Sequence, residues 1–156
     1  MGGRAAAYPI AVFIVPLVWW IMRGRGSTAR YPCAVDILIV LPFFIDTLGN
    51  ALNLYDTISW WDDANHFVNW AILTGAFAAL LSRTRLNAWT TFGLVVGFGA
   101  VTAIVWELLE YITFIRHSSE LGTAYHDTLG DLALGLSGSV LTGVMAALVV
   151  RRRRAA

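Results

Sequence analysis

The stretch Trp60–Trp70, WWDDANHFVNW, lies where two long apolar runs meet, and it places three ionisable side chains there. Asp62 and His66 are four residues apart, so on a helix they lie on the same face. Ionisable groups are costly within a bilayer and are expected there only with a partner or a function. The question is therefore what the rest of the chain supplies around Asp62 and His66.

The composition is that of a membrane protein. The chain has 156 residues, of which 58% are hydrophobic and 13% are charged, whereas soluble domains carry roughly 25% charged residues. Apolar runs of roughly 17–25 residues, the length that crosses a bilayer, recur along it. We predict a single all-α polytopic membrane domain over residues 1–156. Nucleic-acid binding is not expected, because the terminal Arg151–Arg154 run is typical of a membrane-side anchor.

The apolar runs predict five transmembrane helices, spans 1 to 5, near residues 5–22, 33–54, 64–81, 88–115 and 128–150. Span 1 has no charged group between Arg4 and Arg23 and no polar stripe. We therefore expect spans 2–5 to form a four-helix bundle, with span 1 at its periphery.

The arginines predict the orientation. Nine of the eleven follow spans 1, 3 and 5: Arg23, Arg25, Arg30, Arg83, Arg85 and Arg151–Arg154. Positively charged loops stay in the cytoplasm, which places the N-terminus outside and the C-terminus inside. Arg4 and Arg116 fall on the opposite side.

The acidic residues show the opposite distribution. Only Asp36 lies near the predicted cytoplasmic end, where it could pair with an arginine. The other nine map to the outer half or the outer loops: Asp46, Asp56, Asp62, Asp63, Glu107, Glu110, Glu120, Asp127 and Asp131. Acidic residues from four spans and their connections are thus predicted to lie at a similar depth, in the outer half of the membrane.

Helical spacing places several of these acids on shared faces with small or polar residues. Span 2 aligns Asp46, Asn50 and Asn53, and span 3 aligns Asp62, His66 and Asn69. In span 4, Glu107 and Glu110 share a face with Gly93, Gly97, Ala100 and Ala103. In span 5, Asp127, Asp131, Gly135, Ser139, Gly143 and Ala147 form a ridge. Small residues let membrane helices approach closely, so we expect these faces to point into the bundle.

Several carboxylates at membrane depth need compensation by a metal ion, shared protons, a cationic substrate or a partner's arginines. Oxygen and imidazole ligands suit Fe, Mn or Zn. The predicted metal ligands are Asp62, His66, Glu107, Glu110, Asp127 and Asp131, with Glu110 and Asp131 as catalytic groups. Asp46, Asn50, Asn69 and His126 are expected to support those ligands. Asp62 or Asp63 could instead cap span 3, and Asp127 or Thr128 could cap span 5.

Three short motifs resemble the YjdF-like family of small bacterial inner-membrane proteins. They are D-x-x-x-H-F (Asp62–Phe67), W-E-x-x-E-Y (Trp106–Tyr111) and D-T-x-G-D (Asp127–Asp131). The resemblance covers about residues 55–138. It implies a multi-pass protein of the bacterial plasma membrane, with the family's acidic and histidine roles on Asp62, His66, Glu107, Glu110, Asp127 and Asp131. It implies no particular reaction.

Three functions remain open at this stage. The first is a metal-dependent hydrolase or oxidoreductase with an outward-facing site for a lipid or other amphipathic substrate. The second is proton- or cation-coupled transport, or metal handling. The third is a non-catalytic role in a homo-oligomer or a larger membrane complex. Membrane lipids are expected partners in each case.

Overall fold

The computed structural model describes the backbone of residues 2–155 and the side chains of residues 8–119 and 121–155. Within that part of the chain every regular element is helical. The α-helices are α1 (Gly2–Gly24), α2 (Cys33–Ala51), α3 (Leu54–Thr57), α4 (Trp61–Leu81), α5 (Ala88–Thr113) and α6 (Ala124–Ala155). Two short 3-10 turns, Ile115–His117 and Ser119–Gly122, link α5 to α6.

Four of these helices are long and apolar enough to cross a membrane: α2, α4, α5 with the turn that follows it, and α6. The described part of α1, Tyr8–Gly24, is a shorter apolar helix. The prediction of an all-helical chain built from long apolar helices is therefore confirmed. Which terminus lies on which side of a membrane stays a prediction.

Span 2 was predicted to end at about residue 54, and the helix ends a few residues earlier. The helix α2 ends at Ala51, and Asn53 adopts the left-handed conformation with φ 55° before α3 begins. Asparagine enters this conformation more readily than most residues, which explains why the chain breaks there. Asn53 therefore does not share a helical face with Asp46.

Two helices begin earlier than predicted, which changes the interpretation of their first acids. Asp62 and Asp63 lie in the first turn of α4, and the capping position is Trp60, which makes no side-chain capping bond. Asp127 lies in the first turn of α6, which begins at Ala124. The capping roles considered for Asp62, Asp63, Asp127 and Thr128 are therefore wrong. Acids in a first turn still interact favourably with the helix dipole.

The core of the bundle is the contact of α4, α5 and α6. The buried ridge of α5 is Thr91, Val95, Gly99, Ala103 and Glu107. The ridge predicted in span 5 is buried at Asp131, Gly135, Ser139 and Gly143. A Cβ atom on Gly99 would lie 2.1 Å from Ser139 Oγ, so the two helices meet there at a distance that only glycine allows.

The face predicted for span 4 is partly wrong. Gly93 and Gly97 are exposed, and a Cβ atom on either would meet nothing within 4 Å. The buried residues Ala103 and Glu107 do lie on the inner face. The interior of α5 thus follows the i+4 row through Gly99, a different row from that of the other two glycines.

The helix α1 packs against α2 and α5. Span 1 was predicted to lie at the periphery of the bundle without a polar stripe. The Tyr8 hydroxyl nevertheless donates a hydrogen bond to Asp46 of α2, so α1 contacts the polar site. The Tyr8 ring also packs edge-on against Phe43, with 5.6 Å between ring centroids. An apolar span with one phenol therefore contributes directly to the polar end of the bundle.

The arginine-bearing ends of the helices lie together. Arg154 Nη2 donates to the Arg85 carbonyl oxygen over 3.1 Å. Val15, Val35 and Ala76, from α1, α2 and α4, form a buried cluster against which Tyr31 and Ala79 pack. We refer to this end, with Arg23–Arg30, Arg83–Arg85 and Arg151–Arg154, as the arginine end. The described partner of Asp36 is the Tyr31 hydroxyl and not an arginine. The side chains of Arg4 and Glu120 lie outside the described residues.

Candidate functional site

His66, on the second turn of α4, is surrounded by carboxylates from three helices. Its Nδ1 lies 3.0 Å from Asp131 Oδ1 of α6 and 3.7 Å from Asp62 Oδ1 of α4. Its Nε2 lies 3.6 Å from Glu107 Oε1 of α5. Glu107 and Asp131 are both only 6% exposed. Both ring nitrogens therefore face carboxylates, and two of those are removed from solvent.

Close helix packing brings these three side chains together. Gly138 of α6 lies against α4, because a Cβ atom there would come within 2.2 Å of the Phe67 carbonyl oxygen. Gly135 lies against the Trp70 ring in the same way, at 2.6 Å. These glycines are one and two turns beyond Asp131, and Phe67 follows His66. The close approach of α4 and α6 therefore sets the contact between His66 and Asp131.

The cluster opens into a cavity of about 430 Å³. Seven carboxyl groups line it: Asp46, Asp56, Asp62, Glu107, Glu110, Asp127 and Asp131. His66 and the amides Asn50, Asn65 and Asn69 line it as well. Pro42, Phe43, Leu73, Trp106 and Phe114 supply apolar wall. No arginine is among the described residues that line this cavity.

A second polar group in the same cavity is centred on Asp46. Its carboxylate accepts hydrogen bonds from Tyr8 and from Tyr55, the latter over 2.5 Å. Asn65 Nδ2 donates to the Tyr55 hydroxyl over 2.9 Å, and Asn69 Nδ2 donates to Asn65 Oδ1 over 3.2 Å. This chain of bonds joins α1, α2, α3 and α4, and it satisfies an acid that would otherwise be expensive within a membrane.

All predicted site residues except His126 line this cavity. His126 is exposed, and its ring packs edge-on against Tyr125 with 5.8 Å between centroids. Among the described residues, Asp62, His66 and Asp131 offer ligand atoms that lie within 4.8 Å of one another, close enough to share one metal ion. The ligand and catalytic roles of the whole set stay predictions.

Tyr8, Tyr55 and Asn65 belong to the polar site and were not among the residues predicted from the sequence. Asn65 precedes His66 and is only 6% exposed, and its position three residues after Asp62 places it on the same helical face. Tyr55 lies in the short helix α3, between the predicted spans 2 and 3. The sequence did contain a sign of these residues, namely the polar side chain itself. A hydroxyl or amide buried in an apolar environment needs a hydrogen-bond partner.

A buried layer of α4, α5 and α6 lies between the cavity and the arginine end. Thr74, Val95 and Ser139 are fully buried there. The hydroxyls of Thr74 and Ser139 donate to carbonyl oxygens of their own helices, at Trp70 and Gly135. These hydroxyls are thus bonded within their own helices, and α5 packs tightly against Ser139 and Thr74 at Gly99.

A family model described as a predicted membrane protein, DUF2238, matches residues 4–152. The chain belongs to the DUF2238 family. This match confirms the resemblance to the YjdF-like proteins and extends it over nearly the whole chain. The chain is thus a membrane protein with several apolar helices, and the DUF2238 description assigns it no reaction. No curated protein and no solved structure matches it.

Proposed function

We propose that this protein binds one metal ion through Asp62, His66 and Asp131, and that the loaded site is the centre of a membrane enzyme acting on an amphipathic substrate. The supporting observation is that Nδ1 of His66 faces two carboxylates on two helices, while Nε2 faces a third. Five transmembrane helices, with α1 as the fifth, would carry the site. The arginine end would lie in the cytoplasm of a bacterium, so the cavity would face outward.

The two sides of the imidazole have different roles in this proposal. A metal on Nδ1 needs the lone pair of that nitrogen, so the neutral ring carries its proton on Nε2, toward Glu107. Histidines that bind metals usually donate their other N–H to a carboxylate or carbonyl, which fixes the ring. Glu107 is therefore assigned to orient His66, while Asp131 and Asp62 are assigned to the metal. The 3.2 Å contact of Nδ1 with the Asp62 carbonyl oxygen would give way on binding.

The donor set favours Fe, Mn or Zn. One imidazole with two carboxylates suits these ions better than Ca²⁺, which takes oxygen ligands alone. Three protein ligands beside an open cavity are also the usual arrangement of a catalytic metal site. A metal ion there would supply Lewis-acid chemistry. Glu110 and Asp127 line the same cavity and could accept or return protons.

The cavity lining is partly polar and partly apolar, which favours an amphipathic substrate. Phe43, Leu73 and Trp106 offer apolar surface in the same cavity as the carboxylates and amides. Because the described lining has seven carboxyl groups and no arginine, it favours a head group that is neutral or positively charged. Conduction of a cation through the protein is disfavoured by the packed layer of Thr74, Val95 and Ser139.

Elemental analysis of the detergent-purified protein tests this proposal. After exposure to Fe²⁺, Mn²⁺ and Zn²⁺ in turn, the wild type should retain close to one equivalent of one metal. Asp131→Asn and Asp62→Asn should lose it while keeping their helical circular dichroism, and Asp36→Asn, which changes a half-buried acid at the arginine end, should keep it. A wild type that retains no metal would overturn the proposal and favour protonated carboxylates that serve transport or a partner subunit.

A further inference from the structure

A second cavity lies along the second half of α1 and the loop that follows it, toward the arginine end. It is a groove of about 730 Å³ lined by Phe13, Pro16, Leu17, Trp19, Trp20 and Tyr31. Its walls are apolar, and Phe13 and Trp20 are more than 60% exposed. A groove of this kind on a membrane helix would hold a hydrocarbon chain. The residues at its rim would then select the head group to which that chain is attached.

The rim is a fixed structure. The Trp19 ring packs edge-on against Tyr31 with 5.4 Å between centroids, and Trp19 Nε1 donates to the Ala29 carbonyl oxygen over 3.2 Å. The Tyr31 hydroxyl donates to Asp36 over 2.5 Å, and this bond raises the pKa of Tyr31 to about 12. Tyr31 therefore stays protonated at neutral pH and keeps this bond. Helix α1 and the loop before α2 are thus tied together around Trp19.

A guanidinium group lies at this rim. The Arg23 Cζ atom is 5.6 Å from the centroid of the Trp19 ring, and Nη1 donates to the Ser27 carbonyl oxygen over 3.4 Å. Arginine has five N–H donors, so these contacts leave others available to an anion. The same loop carries Arg25 and Arg30 and contains no acidic residue between Gly24 and Pro32. An apolar groove therefore ends at a positively charged, acid-free loop.

We propose that this groove binds one anionic phospholipid of the bilayer. One acyl chain would lie along Phe13, Leu17 and Trp20, and the phosphate would contact Arg23, with Arg25 and Arg30 adding attraction. Anionic head groups are selected because each basic side chain near a membrane surface favours them by roughly five-fold in binding. The site is separate from the metal site, so neither proposal depends on the other.

Native mass spectrometry of the intact protein tests this site. Phosphatidylglycerol and phosphatidylcholine with identical acyl chains are titrated into the detergent-purified wild type. We expect phosphatidylglycerol to bind more tightly, and Arg23→Gln to weaken it by roughly five-fold. Arg83→Gln is the matched control, because it removes an exposed charge from another loop of the same end. It should change the affinity by much less.

Three outcomes would overturn the proposal. Equal binding of the two lipids by the wild type would remove the anionic selectivity. An equal loss in Arg23→Gln and Arg83→Gln would show a diffuse attraction to the whole arginine end. Phe13→Ala provides an independent measurement, since it keeps every charge and should weaken both lipids. If Phe13→Ala changes neither lipid, the groove is not the site. Metal content should stay at the wild-type value in all three variants.

Discussion

His66 of α4 and Asp131 of α6 are joined by a 3.0 Å contact between Nδ1 and Oδ1, and this pair links the two helices at the polar end of the bundle. Gly135 and Gly138 lie further along α6 and allow the close approach that the contact needs. The packing of small residues and the chemistry of the site are therefore two parts of one arrangement, and each part can be tested separately.

Glu107→Gln should weaken metal binding by about 10–100-fold without abolishing it. Glu107 is assigned to the Nε2 side of His66, and loss of a carboxylate that orients a metal-bound histidine typically has an effect of this size. Titration with Zn²⁺ or Mn²⁺ by calorimetry measures it. Asp131→Asn should have a larger effect, because it changes an assigned ligand. Equal losses in the two variants would make Glu107 a ligand and contradict the assignment.

Gly99→Ala should destabilise the protein by about 1–3 kcal/mol, the usual cost of overpacking. The new methyl group would lie 2.1 Å from Ser139 Oγ and 2.8 Å from Thr74 Cγ2 in the tightest part of the core. The measurement is the free energy of unfolding in mixed micelles. Gly97→Ala is the control on the same helix, since its methyl group would meet nothing within 4 Å. Equal stability of the two variants would refute the packing of α5 against α6.

Tyr8→Phe should lower the free energy of unfolding by about 1–3 kcal/mol, because it removes a donor from the half-buried carboxylate of Asp46. It should also loosen α1, which hydrogen exchange along residues 8–24 would detect as faster exchange. Tyr125→Phe is the control, since Tyr125 is 73% exposed. If exchange along α1 is unchanged while Asp46→Asn has the same stability as the wild type, α1 is not held by this bond.

Tyr31 should titrate at about 12, above the ordinary pKa of 10, because its hydroxyl donates to Asp36. The pKa is raised in the folded protein, so the stabilisation is fully present below about 10 and is lost as pH rises through about 12. An ultraviolet titration of the wild type, compared with Tyr31→Phe, isolates this phenol. In Asp36→Asn its pKa should move back toward 10. A Tyr31 signal already near 10 in the wild type would contradict the bond.

The sequence predicted the long helices and the polar level because both depend on composition and on helical periodicity. Glu107 and Asp131 were placed on inner faces correctly. The inner row of α5 was misassigned because glycine was taken as a sign of helix contact, whereas Gly93 and Gly97 are exposed. In an apolar environment such as lipid, exposing a small residue costs little free energy. Glycine alone therefore does not identify the buried face of a helix.

Other features depend on tertiary contacts that periodicity does not encode. The chain breaks after α2 at one left-handed residue, Asn53, and the residues next to it, Leu52 and Leu54, are apolar and give no sign of a break. The role of Tyr8 requires α1 to lie beside Asp46, which no pattern within span 1 predicts. His126 immediately precedes Asp127, yet it is exposed against Tyr125 and does not line the cavity that Asp127 lines.

The most direct test is anomalous X-ray scattering from crystals of the protein grown with the metal that it retains. The proposal predicts one anomalous peak at roughly 2.0–2.2 Å from His66 Nδ1 and from carboxylate oxygens of Asp62 and Asp131. A peak beside Nε2 and Glu107, a peak elsewhere in the cavity, or the absence of any ordered metal would contradict the proposed centre.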